Sequence, residues 1–143
     1  MLVSQILRTK GSTVFTCRPQ ETVSAAVALL HARKVGAMVV VDADEKVAGI
    51  LSERDVVRVV AEKGEAGLSQ PVSSCMTCDV IFAEPQESVN DLLGRMTDRR
   101  IRHLPVCIDG RLTGIISIGD LVKSKISEIE AEADGLKAYI AAG

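Results

Sequence analysis

From Ala37 to Val41 the chain reads AMVVV, and after a break through Asp42, Ala43, Asp44 and Glu45 a second apolar run follows from Val47 to Leu51. Two short apolar runs around an acidic break predict a β-hairpin. Upstream, Val14 to Cys17 reads as a short strand stopped by Pro19, and Thr22 offers an N-cap for a helix whose Val23, Val27 and Leu30 recur at helical spacing. Downstream, Ser52-Glu53-Arg54-Asp55 opens another helix. The order is β-α-β-β-α.

The same grammar occurs again. Val80 to Val122 repeats Val14 to Val57: at an offset of 66, Val14, Pro19, Gln20, Glu21, Val23, Arg33 and Val40 meet Val80, Pro85, Gln86, Glu87, Val89, Arg99 and Val106. One residue is lost in the hairpin turn, and at an offset of 65 Gly49, Ile50, Ser52, Asp55 and Val57 then meet Gly114, Ile115, Ser117, Asp120 and Val122. In this copy the helical stripe is Val89, Leu92, Leu93 and Met96, and the turn is Asp109-Gly110, a strong hairpin signal. Strands this apolar need cover on both faces, which one unit cannot supply, so the pattern predicts two copies packed together. The expected fold is mixed α/β, with a first repeat over 1–65, a second over 66–125 and a C-terminal amphipathic helix over 126–143. Gly64 to Thr77, rich in Gly and Ser, is expected to cross the surface as a linker.

Composition narrows the function. Seventeen basic residues face nineteen acidic ones with no basic stripe, which argues against nucleic acid as a partner. The N-terminus lacks the charge and apolar run of a secretory signal, and no stretch reaches the length needed to span a bilayer, so a cytoplasmic protein is expected. Four cysteines are too few for a disulfide scaffold. Cys75 and Cys78 form a C-x-x-C, but no second half exists to complete a zinc site, and the thioredoxin context of a redox motif is absent. His31 is a lone histidine in a helix. No nucleophile-base pair, metal cluster or paired carboxylates appear, so no enzyme is expected.

The motif P-x-x-(S/T)-V, an apolar strand, then G-I-(L/I)-S-x-x-D closely resembles the cystathionine-beta-synthase (CBS) domain family, whose tandem pair is called a Bateman module. The resemblance covers about Val3 to Lys125, twice and in order. Val3 to Leu7 and Val72 to Met76 look like the family's short lead-ins. It implies a regulatory module, attached to no enzyme here, that binds AMP, ATP, NAD or S-adenosylmethionine between its repeats, with AMP favoured for this chain.

It also assigns residues. Ser52 with Asp55, and Ser117 with Asp120, are helix-start pairs that local chemistry explains as N-caps. In the family pattern the Asp chelates the ribose hydroxyls and the Ser meets phosphate at the helix N-terminus, and the two readings are compatible. Arg102 and His103, before the strand Leu104-Pro105-Val106, stand where the family often holds phosphates; Arg can fork two hydrogen bonds to one phosphate. Their counterparts Gly36 and Ala37 carry no charge, so the two sites are not equivalent. Arg54 is either an exposed helix cation or a phosphate contact. Thr16, Ala37, Phe82 and Leu104 would line an adenine slot, with core packing as the alternative for each.

Past the second copy, Val122, Ile126, Ile129, Ala133, Leu136 and Ile140 recur at spacings of 4, 3, 4, 3 and 4, a heptad seam. It predicts either a helix folded on its own core or an interface helix; the family commonly forms dimers, which favours a homodimer. Two functions stand: an adenine-nucleotide sensor signalling through a dimer or partner contact, and a non-binding interaction module with a degenerate cleft.

Overall fold

A computed structural model describes residues 1–143. It is a mixed α/β structure with α1 (Val3–Lys10), β1 (Thr16–Cys17), α2 (Val23–Arg33), β2 (Ala37–Val41), β3 (Val47–Ser52) and α3 (Glu53–Lys63). After two 3-10 turns, Gly64–Ser69 and Val72–Ser74, come α4 (Val89–Arg99), β4 (His103–Ile108), β5 (Arg111–Ser117) and α5 (Ile118–Ala142). No helix is long and apolar enough to cross a membrane. The chain forms two compact units, one of residues 13–81 with 109–112, the other of residues 1–12, 82–108 and 113–143.

In the unit built on 13–81, the sheet runs β1-β2-β3. β1 pairs parallel to β2, with Cys17 opposite Val40, and β2 pairs antiparallel to β3. All five residues of β2 are buried, as its unbroken apolar run predicts. Val23, Ala26 and Leu30 of α2 and Val59 of α3 close over Met38, Val40 and Leu51 to make the core. Gly49 of β3 lies where a Cβ would meet Thr77 O at 2.8 Å, so only glycine admits this close approach of backbone.

The 64–77 segment runs mostly exposed along the surface, as a linker should, but it is also anchored: Val72 is completely buried and Cys75 nearly so, and Ile50 exchanges backbone hydrogen bonds with Thr77. Val72 is the reason: opening the second 3-10 turn, it gains by burying its apolar side chain while its polar neighbours stay in water.

In the second repeat β4 and β5 form a two-stranded sheet. Asp109 and Gly110 both have positive φ, 51° and 78°, as a two-residue type I′ turn requires. The strand expected near Val80 shrinks to one parallel bridge, Ala83 to Val106, in the register that Cys17 and Val40 hold in the other copy. Val89, Leu92 and Met96 of α4 are buried, and the expected helix after Ser117 and the heptad tail prove to be one continuous α5.

The repeats share local devices. Thr22 and Ser88 cap α2 and α4 by accepting from Ala25 N and Asp91 N. The glutamate of each Pro-Gln-Glu closes its turn, Glu21 accepting from Arg18 N and Glu87 from Glu84 N. Both helices exit through a left-handed cation, Lys34 at φ 55° and Arg100 at φ 54°.

The two lead-ins are exchanged. Val72 N donates to Glu21 O and Ser73 N to Pro19 O, on the turn of the first repeat. Correspondingly, Val3 N donates to Glu87 O and Ser4 N to Pro85 O, on the turn of the second. The spatial units therefore differ from a division at residue 65: residues 1–12 complete the second repeat, and 72–77 complete the first. Each lead-in presents two donating amides and one buried valine, Val3 or Val72, to the equivalent receptor turn of a repeat.

Candidate functional site

Each repeat ends its hairpin at a serine that starts a helix, Ser52 before α3 and Ser117 before α5, and each serine forms a capping box with the aspartate three residues on. A backbone bond fixes both helix starts in the same way: Glu53 N donates to Gly36 O, and Ile118 N to Arg102 O. Alike in backbone, the two starts differ in what surrounds the carboxylate.

Asp55 is buried, 3 % exposed, with four donors on its two oxygens. Ser52 N and Ser52 Oγ donate to Oδ2 at 2.9 and 3.1 Å, while Arg58 Nη1 and Thr77 Oγ1 donate to Oδ1 at 3.0 and 3.3 Å. Arg58 continues to Cys75 O at 2.8 Å. Asp55 thus ties α3 to the 72–77 lead-in, a structural assignment that its sequence position alone did not reveal.

Asp120 is more open, its side chain 24 % exposed against 5 % for Asp55. Its donors converge on Oδ2: Ser117 N at 2.8 Å and Lys10 Nζ at 2.6 Å, with Lys10 also donating to Ile115 O at 2.8 Å. Asp120 N in turn donates to Ser117 Oγ at 3.1 Å. Burial works against the charged carboxylate, but the Lys10 hydrogen bond, the Ser117 amide and the Lys10 charge together outweigh it and hold the pKa below the usual value.

Lys10 was not among the sequence candidates. It lies 110 residues from Asp120, and only the lead-in exchange brings them together. Arg58 was also missed, although its spacing from Asp55 is a readable i,i+3 helix pair. Because the folded pKa of Asp120 is lowered, the Lys10 pair stabilises above the unfolded carboxyl pKa and is lost as pH falls through the folded value. Lys10→Met is therefore expected to cost under about 1 kcal/mol at neutral pH, as befits a part-exposed pair, and nothing near pH 2, checked by urea unfolding at both.

The remaining candidates fall into two groups by unit. Arg102 is exposed at the α5 start and His103 is half-buried as the first residue of β4, so Ser117, Asp120, Arg102 and Lys10 gather around one helix N-terminus. Phe82 is 38 % exposed, and its carbonyl accepts from Arg95. Leu104 is wholly buried, so its side chain belongs to the core and only its backbone can face a ligand. In the other unit Arg54 and Thr16 are exposed, Ser52 is half-buried, and Ala37 is core. A separate depression of about 580 Å³ beside Leu30, Val35, Glu53 and Val56 contains none of the predicted residues.

The thiols are set by burial. It raises Cys17 to about 11, with Glu21 and Cys75 adding to the effect, and it raises Cys75 and Cys107 as well. Cys78, the other half of the C-x-x-C, is exposed.

Two repeats with capped helices and a helix-start aspartate in each define a tandem-repeat architecture. The CBS domain family model matches residues 3–62 and 72–127, and the chain belongs to that family. It is 36 % identical to the mitochondrial CBS domain-containing protein CBSX3 of Arabidopsis thaliana, over 99 % of this chain and 72 % of that protein. The crystal structure of the CBS-domain protein ATU1752 from Agrobacterium tumefaciens superposes with a TM-score of 0.85 at 46 % identity, covering 87 % of this chain and 92 % of that one. The CBS domain pair of MJ0100, solved with 5′-methylthioadenosine and S-adenosylmethionine, shares the fold, with a TM-score of 0.80, 23 % identity and coverage of 90 % and 98 %.

Proposed function

We propose that this chain is a regulatory module that binds an adenine nucleotide, AMP before ATP or NAD, at the α5 start, and reports occupancy through a homodimer or partner contact. The observation that carries this reading is the contrast between the two aspartates. Asp55 is consumed by structure, whereas Asp120 is accessible and surrounded by a helix N-terminus, Arg102 and Lys10. Its carboxylate suits the paired hydroxyls of a ribose. Ser117, Arg102 and His103 offer side-chain donors to phosphate. The adenosine ligands of the MJ0100 pair support the ligand class. In this reading Ser52, Arg54, Asp55 and the copy-one strand residues Thr16 and Ala37 form the weaker or vacant counterpart, and Phe82 and Leu104 border the adenine.

Isothermal titration of nucleotide-stripped protein with AMP, ATP, NAD and S-adenosylmethionine tests it. One saturable site for a phosphorylated adenosine is expected. No heat with any of the four would replace the sensor with an interaction module.

A further inference from the structure

α5 continues well past the helix start that the ligand reading uses, and its far portion carries an apolar stripe. Within its 25 residues only Leu121 and Ser124 are buried. Val122, Ile126, Ile129, Leu136 and Ile140, the seam read from the sequence, are 45–67 % exposed. At roughly 100° per residue the stripe is turned about 130° from the face that holds Leu121 and Ser124, so the helix's own unit does not cover it. The spacing places Val122, Ile129 and Leu136 at heptad position d and Ile126, Ala133 and Ile140 at position a, the pattern that packs against another helix of the same kind.

The flanking charges determine which helix and which direction. Positions g are Lys125, Glu132 and Tyr139, and positions e are Lys123, Glu130 and Lys137. In a parallel, in-register pair each g residue meets the e residue of the next heptad across the seam. Lys125 then faces Glu130 of the partner subunit, and Glu132 faces Lys137 of the partner subunit. The two-fold axis repeats both attractions. In an antiparallel pair that overlaps the whole seam, g meets g and e meets e: Glu130 faces Glu130 of the partner subunit, Glu132 faces Glu132 of the partner subunit, and Lys123 faces Lys137 of the partner subunit. Each of these charged contacts is repulsive, and the remaining one, Lys125 with Tyr139 of the partner subunit, offers no opposite charge.

We infer that the exposed seam of α5 is covered by α5 of a second copy, parallel and in register. This sharpens the dimer contact proposed above and does not depend on the nucleotide reading. The seam from Val122 to Ile140 is under three heptads, too short to hold free helices together. Its pairing therefore depends on α5 being rooted in a folded unit at Leu121.

Sedimentation of the full chain over a range of concentrations tests the inference. A concentration-dependent dimer is expected, and Leu136→Asp, at an exposed heptad position, should leave a folded monomer by circular dichroism. At low salt Glu132→Lys and Lys137→Glu should each raise the dimer dissociation constant about fivefold, and the Glu132→Lys/Lys137→Glu double variant should restore it. A monomer at all concentrations overturns the proposal. So does a dimer indifferent to Leu136→Asp, which would lie on another face, or a double variant no better than the singles, which would remove the parallel register.

Discussion

Asp120→Ala should weaken nucleotide binding about 100-fold while leaving the fold intact. Two charge-assisted hydrogen bonds from ribose hydroxyls to one carboxylate contribute about 3 kcal/mol together, which corresponds to that factor. What the fold loses is small. Lys10 regains water, since the pair is part-exposed, and Ser117 Oγ still accepts from the amide of residue 120. Titration calorimetry beside a thermal melt separates the two effects. If affinity is unchanged in a protein that melts normally, Asp120 is only the far half of a capping box and the ligand lies elsewhere.

The second large effect is the mirror image of the first. Asp55→Ala should lower stability by about 2–3 kcal/mol, because the buried carboxylate is the common acceptor for Ser52 Oγ, Arg58 Nη1 and Thr77 Oγ1 and so joins α3 to the 72–77 lead-in. For a chain of this size that is a melting-point drop of about 8 °C. Nucleotide affinity, measured below the melt, should stay within a few-fold of wild type. Equal destabilisation by Asp55→Ala and Asp120→Ala would show that the burial contrast has no energetic weight.

Much of this architecture was readable before any coordinates. The β2 run, the hairpin turn at Asp109-Gly110, the serine caps and the α5 seam all follow from local pattern, because each rests on neighbours within one or two turns of chain. What local pattern could not supply was anything that depends on exchange. Lys10 gives no signal in its own octapeptide, and its meaning comes from Asp120 across the chain. The 64–77 segment has the composition of a surface loop, and only the Glu21 and Pro19 carbonyls waiting to accept from Val72 and Ser73 make it a docking element. The missing strand near Val80 has a comparable cause, since Ala83 alone finds a bridge partner in Val106. For the site, the pattern marked both aspartates alike because their spacing is identical. The difference lies in Arg58 and Thr77, one a helix neighbour and the other a lead-in residue.

The exchanged lead-ins also set an order of events at the ribosome. Residues 13–81 can assemble their sheet and core as soon as they emerge, lacking only the four-residue tip 109–112. The first twelve residues emerge before them, yet their receptor turn at Glu84 to Glu87 is made some seventy residues later, several seconds at ordinary translation rates. Through that interval Val3 and Ile6, which end fully or nearly buried, have no receptor turn to pack on. The 1–12 lead-in is therefore made before the turn that receives it, and anything that holds this segment would delay the closing of the second repeat.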